Sequence, residues 1–163
     1  HSNGFSLIRK ILKDKKISLK KRFPGFDKPI GEILLAPTHL YVTPVLELLK
    51  TFTLQGIAHI TGGGIPENVP RVIPKNFRAV IEKRKIAVPP IFPLLQQLGN
   101  VPEKEMWLTF NMGIGLVLVV RQDEEKEILE NLASLGYAAG NIGFIEKCKS
   151  GKRDIVPSGV LLV

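Results

Sequence analysis

Residues 62–64 are three consecutive glycines. They stand between an apolar, β-prone segment, Gly56-Ile57-Ala58-His59-Ile60-Thr61, and a segment whose Pro66 and Glu67 suit the first turn of a helix. The order is strand, glycine turn, helix start. Each glycine loses extra backbone entropy on folding, so a run of three is useful only where the chain needs positive φ or the close approach of another group. N–H groups at such a turn and at a helix N-terminus bind anions, phosphate above all. A tight turn with no ligand satisfies the same residues, and both readings stand at this point. Two phosphate motifs are excluded: the Walker A pattern ends in Gly-Lys-Ser/Thr, and the dinucleotide fingerprint needs a third glycine where Glu67 stands. A phosphate bound here is held by a different loop.

The 163 residues fit one domain, and 44% hydrophobic content supplies a core. No apolar run approaches the roughly 20 residues of a membrane helix and no signal peptide is recognisable, so a soluble, cytoplasmic protein without a membrane partner is expected. The single cysteine, Cys148, cannot form an internal disulfide, in keeping with a reducing compartment. The chain starts at His1 without an initiator methionine and reaches helix-forming sequence within a few residues, which reads as a fragment. Much of the net charge of +8 lies between Arg9 and Lys28. That segment has almost no aromatics to stack bases and no nucleic-acid motif, so it reads as a solvated basic loop, with no nucleic-acid partner. The same field favours anionic substrates.

Periodicity predicts a helix over 4–14 with Ser2 or Asn3 as N-cap, a short helix over 30–35 ending before Pro37, and a longer one over 41–52 that buries Val45, Leu46, Leu48 and Leu49. Phe23-Pro24-Gly25 marks a turn. A strand leads into the glycine turn, and a short helix runs from Pro66 toward Arg71. A strand at 79–81 precedes a helix opened by 89–93 and another carrying Met106 and Trp107. Leu116-Val117-Leu118-Val119-Val120 is wholly apolar and reads as a central strand. Residues 123–135 form an amphipathic helix with an acidic first turn and Gly136 as C-cap. Strands at 139–145, 154–156 and 160–163 end the chain. Alternating strands and helices predict an α+β chain whose sheet is covered by helices on its faces.

Chemistry-bearing residues are few. His1, His39 and His59 have no metal-ligand spacing among themselves or with Cys148, so no metal site is expected of this chain alone. His59, within a strand, reads as a core histidine with a satisfied hydrogen bond, and His39 as a surface residue after a Pro-Thr turn. No Ser-His-Asp or Cys-His arrangement stands out. Residues 1–4 and 111–115, like the glycine turn, put small polar groups or backbone N–H groups at the ends of elements. That suits binding a polar ligand better than proton transfer.

Four motifs, in order, carry a resemblance over nearly the whole chain: His1-Ser2-Asn3-Gly4-Phe5-Ser6-Leu7; Pro37-Thr38 with Tyr41-Val42; His59-Ile60-Thr61-Gly62-Gly63-Gly64 with Glu67-Asn68 and Pro70-Arg71; and Thr109-Phe110-Asn111-Met112-Gly113-Ile114-Gly115. Together they resemble the C-terminal domain of the aminoimidazole ribonucleotide (AIR) synthetases, the phosphoribosylformylglycinamidine cyclo-ligases of purine biosynthesis. One departure is His39, where that family carries arginine more often, which weakens any anion contact at this position.

The resemblance implies a three-layer α/β/α domain with a mixed sheet and partial ferredoxin-like topology, over residues 1–163. It implies a ligase that closes the imidazole ring of formylglycinamidine ribonucleotide and converts ATP to ADP and phosphate. Most ATP and Mg2+ ligands, and the homodimer core, would belong to an N-terminal domain absent from this chain, so the chain alone is expected to be inactive. Carried over by position, His1 is the candidate catalytic contact. Ser2, Asn3, Gly4, Thr61, Gly62, Gly63, Gly64, Asn68 and Arg71 are candidates for substrate or phosphate binding. Asn111, Gly113 and Gly115 would shape the cleft floor, with a purely structural role as the alternative. Two other functions stay open: a non-catalytic phosphate-ligand-binding module, and a relative such as selenophosphate synthetase or thiamine-phosphate kinase. A domain cut from its partner is also expected to expose apolar surface near the His1 and Phe110 motifs, and to self-associate through it.

Overall fold

The computed structural model describes residues 1, 3–148 and 159–163. Helix α1 (Phe5–Asp14) buries Ile8, Ile11 and Leu12, the stripe that helical spacing predicts. Its start departs from expectation: Gly4 holds the cap position at φ 77°, and no side chain caps the helix. Gly4 is pressed against the Phe110 ring, so the chain enters α1 through a left-handed glycine rather than through the Asn3 amide. Ser2, the other expected cap, lies outside the described residues.

After α2 (Ile30–Leu34), α3 (Val42–Leu49) is shorter than its pattern suggests and buries only part of the predicted side, Leu48 fully and Val45 partly. Pro44 and Leu48 face inward, four residues apart, and Leu48 packs with Phe52, Ile128 and Leu132. Leu46 and Leu49 turn outward and are 55% and 48% exposed, contrary to the predicted buried side. The inward face is fixed by where the second cluster sits, which periodicity alone does not reveal.

The strands form two sheets among the described residues, not the single sheet expected. β1 (Gly56–His59) pairs antiparallel with β3 (Leu116–Val119), from Gly56 opposite Val119 to His59 opposite Leu116. β2 (Phe77–Ile81) lies between β4 (Gly143–Lys147), antiparallel to it, and β5 (Val160–Leu162), parallel to it. β3 is therefore not central, since β1 is its one partner among the described residues. It is wholly apolar for another reason: Val117 enters the main core while Leu118 packs on the second cluster, so both its faces are covered. The strand expected at 139–145 starts at Gly143, because Asn141 Oδ1 accepts the Gly143 N–H at 3.0 Å and closes a turn there. The expected strand at 154–156 falls outside the described residues.

The helix expected from Pro66 begins earlier, as α4 (Gly64–Asn68), and tightens into a 3-10 turn over Val69–Val72. A second 3-10 turn covers Lys83–Lys85, and α5 (Ile91–Gly99), α6 (Glu103–Thr109) and α7 (Glu125–Ser134) complete the order. α7 stops where its glycine predicts: Gly136 has φ 82°, its N–H reaches Ala133 O at 3.0 Å, and Tyr137 N–H reaches Leu132 O at 2.9 Å. The main core joins Ile60, Ile65, Leu95 and Met106, all buried, to α1 and to β2. Leu40, Val42, Leu46 and Leu49 leave apolar surface beside Tyr41, whereas Phe110, expected near such a patch, is buried. No helix among the described residues is long and apolar enough to cross a membrane.

The orientation of α3 gives a paired test. Leu48→Ala should cost about 2–5 kcal/mol, as deletion of a well-packed leucine does. Leu46→Ala should change stability by no more than about 0.5 kcal/mol. Urea denaturation of both variants checks the assignment, and equal losses would contradict it.

Candidate active site

The β1–β3 ladder continues one step beyond the strands, with Ile60 N–H donating to Gly115 O at 2.9 Å. Thr61 then opens the glycine turn, and Gly64 N–H returns to Thr61 O at 3.1 Å. Gly64 has φ 59° and lies against the Trp107 and Phe110 carbonyls, where a Cβ has no room. Gly63 has φ 90°, and the side chain of the exposed Glu67 folds back against it. Gly62 is unlike both: its φ is not positive, and a Cβ added there would meet nothing within 4 Å. Packing and backbone conformation thus explain two of the three glycines and leave Gly62 facing open space.

Asn68 holds this turn together from below. It is 4% exposed. Its Nδ2 lies 3.3 Å from Thr61 O, 3.1 Å from Gly62 O and 2.8 Å from Gly64 O, and its Oδ1 accepts the Thr61 hydroxyl at 3.1 Å. Both amide hydrogens are spent on the loop's own carbonyls, so Asn68 sets the turn's shape.

Above the turn, residues far apart in sequence meet. Tyr41 Oη and His1 Nε2 are 2.6 Å apart, with the rings stacked at 5.5 Å between centroids. The His39 ring lies 6.1 Å from His1, and the His59 ring 6.3 Å from His1 and 5.9 Å from Tyr41. His59 is exposed on the outward side of β1, next to the inward Ala58, so it is not the core histidine its strand position suggests. Gly115 backs the group: a Cβ there would collide with Tyr41 Oη and His1 Nε2. Tyr137 Oη donates to Leu40 O at 2.9 Å and so ties down the segment that carries Tyr41. Burial, and secondarily the nearby Tyr137, raise the Tyr41 pKa above its ordinary 10.0, so the phenol is neutral across physiological pH. No group of three His, Cys, Asp or Glu among the described residues has the geometry to hold a metal ion.

The remaining predicted residues divide. Gly4, half-buried, touches Phe110 and Thr109 and brings the His1 segment to the end of α6. Asn3 is half-buried beside it, and Ser2 is outside the described residues. Asn111 is buried, and its Oδ1 accepts the Gly113 N–H at 3.3 Å. With Met112 at φ 50° and Gly113 at φ 96° this forms a turn whose glycine rests on Pro89. Arg71 is exposed and lines a separate hollow of about 510 Å3 with Glu67, Pro70 and Lys75, in which the three glycines take no part. Tyr41 is the residue that sequence reasoning quoted without assigning a role. Nothing in the spacing of the three histidines signalled that they would meet around it.

Two substitutions test this construction. Asn68→Leu removes the amide donor from the Gly62 and Gly64 carbonyls and leaves Thr61 O with the Gly64 N–H alone, and should cost about 1–3 kcal/mol, with faster hydrogen exchange at residues 61–64. Gly115→Ala should separate Tyr41 from His1, visible as shifted ring resonances of both, at a stability cost of about 1–3 kcal/mol from overpacking. Unperturbed rings in that variant would mean the floor is not where the contact lies.

Comparison with known proteins agrees with this arrangement of motifs. The family model described as "AIR synthase related protein, C-terminal domain" matches residues 1–155. A phosphoribosylformylglycinamidine cyclo-ligase of Geotalea daltonii is 49% identical over 152 residues, covering 93% of this chain and 44% of the relative. Proteins of the same name from Syntrophus aciditrophicus (46% over 153 residues; 93% of this chain, 44% of the relative) and Bacillus cereus (47% over 144 residues; 88% and 42%) are similar in the same way. The chain thus spans less than half the length of the curated relatives it matches. On a family match to all but the last eight residues and on identities near one half, the chain belongs to the AIR synthase-related C-terminal domain family.

Proposed function

We propose that this chain is the C-terminal part of an ATP-dependent cyclo-ligase that closes the imidazole ring of formylglycinamidine ribonucleotide. The products are aminoimidazole ribonucleotide, ADP and phosphate. The observation that carries the reading is the convergence of the His1–Tyr41 pair, Gly115 and the open glycine Gly62 at one end of the β1–β3 ladder, in a chain of this family. In this chemistry the γ-phosphoryl group of ATP passes to the formyl oxygen. An internal nitrogen then attacks the formyl carbon, and the C–O bond breaks with loss of phosphate. Such steps draw mainly on positioning and on stabilising phosphoryl charge.

On this reading Gly62 and Gly63 offer backbone N–H groups to a phosphate, with Thr61 beside them, and Asn68 holds them in place. No hydrogen bond among the described residues engages those two N–H groups. Asn3 and Gly4 line the approach, His1 supplies a polar or acid-base contact, Asn111 and Gly113 shape the floor below Gly115, and Arg71 contributes positive potential from the neighbouring hollow. Mg2+ prefers oxygen ligands, mostly carboxylate and phosphate. The loop's one near carboxylate, Glu67, rests on Gly63, so the described residues do not suit a Mg2+ site and the remainder of the protein supplies the metal and nucleotide ligands. We further propose one domain over residues 1–163, a three-layer arrangement of partial ferredoxin-like topology, a cytoplasmic homodimer, and an N-terminal domain that covers the apolar surface around Leu40 and Val42.

The position of Glu67 also favours a second reading, in which the turn is a packing element and the phosphate lies elsewhere. Gly62→Val separates the two without disturbing the fold, since a side chain there meets nothing. Phosphate titration followed by amide resonances should show shifts at residues 62–63, weakened about tenfold to a hundredfold in the variant, the equivalent of one or two charge-assisted hydrogen bonds. No shift at millimolar phosphate supports the packing reading. Formation of aminoimidazole ribonucleotide from formylglycinamidine ribonucleotide and ATP by the native protein, and none by this chain alone, tests the activity itself.

A further inference from the structure

We propose that Tyr41 is a positioning residue that locks His1 in the tautomer protonated on Nδ1, so that His1 meets its substrate as an Nδ1–H donor and not as a base through Nε2. The 2.6 Å contact fits either direction, since a phenol both donates and accepts; the phenol O–H, the more acidic of the two groups, is assigned as the donor to Nε2, and a neutral imidazole then carries its proton on Nδ1. Tyr41 and Gly115 occupy Nε2, and Nδ1 has no hydrogen-bond partner among the described residues.

The surroundings fit this assignment. Burial keeps the Tyr41 phenol protonated, and Tyr137 adds to the effect. The rings of His39 and His59 stand just over 6 Å from that of His1. A neutral donor imidazole suits an oxygen that gains negative charge, such as a carbonyl oxygen or a phosphoryl oxygen, because it offers a hydrogen bond without drawing a full charge into the site. The inference rests on the proposed ring closure for its activity readout alone, and the tautomer stands or falls independently.

The test uses the native protein that carries this chain, with 15N-labelled histidine. The His1 ring should show an unprotonated Nε2 and a protonated Nδ1 at neutral pH. In Tyr41→Phe, which keeps the ring and removes the hydroxyl, the pattern should move toward the Nε2–H tautomer that free imidazole side chains favour. Turnover should fall at least about tenfold, the scale lost with a histidine's orienting partner, with little change in KM. An Nε2–H pattern in the unmodified protein overturns the proposal, as does a Tyr41→Phe variant with unchanged 15N pattern and turnover. An unmodified protein that shows the Nδ1–H pattern but makes no aminoimidazole ribonucleotide refutes the ring-closure reading and leaves the tautomer assignment intact.

Discussion

The Asn68 side chain faces three carbonyls and one hydroxyl of a turn only eight residues long, from Thr61 to Asn68 itself, and is almost wholly buried while doing so. A backbone oxygen that water cannot reach costs about 1–3 kcal/mol if left unmatched, and in this partly buried turn the fully buried bond is the one to Gly64 O. One amide removes that cost at Gly64 and also bonds the part-buried carbonyls of Thr61 and Gly62. It also lets Gly64 come down onto the Trp107 and Phe110 carbonyls, an approach no residue with a Cβ can make. The turn is thus fixed from within by a hydrogen-bonding side chain and from outside by a close backbone contact.

From that contact the rest of the site follows. The end of α6 meets the glycine turn through its carbonyls and the His1 segment through the Phe110 ring on Gly4. Five residues beyond Phe110 the chain reaches Gly115, whose carbonyl joins the β1 ladder and whose α-carbon supports Tyr41 and His1. A single short helix therefore relates three sequence motifs, and the β1–β3 register sets His59 beside them. The wholly apolar β3 makes this possible: covered by a different cluster on each face, it cannot shift register without exposing one set of side chains.

Much of this was legible in the sequence and some was not, for identifiable reasons. The glycine turn between a strand and a helix, the amphipathic α1 and α7, and the stop at Gly136 all depend on local chemistry and were read correctly. The family was legible because its motifs are specific and linear. What failed was set by tertiary contact. The Gly4 cap depends on Phe110, the outward turn of Leu46 and Leu49 depends on a cluster built by α7, and the division into two sheets depends on pairings that hydrophobic runs do not encode. The three histidines looked unrelated because ring proximity across β1, the chain start and the segment before α3 leaves no periodic trace.

Charge has a narrower part than the net value of +8 suggests. The ion pairs Lys50–Glu47, Lys83–Glu103 and Arg121–Asp123 are largely solvent-exposed, and pairs of that kind add little to stability. Around His1, Tyr41 and the glycine turn the working groups are instead neutral dipoles: a phenol hydroxyl, backbone N–H groups, an amide and a threonine hydroxyl. Neutral donors held rigidly can accept a phosphoryl group's charge without having to be neutralised when the ligand leaves. The positive surface of α1 and the following loop acts at longer range, raising the local concentration of anions before any contact forms, an effect that weakens as salt shortens the screening length. On the proposed reading, recognition at the site and attraction toward it would fall to different residues, and the exposed basic side chains would serve an anionic substrate without touching it.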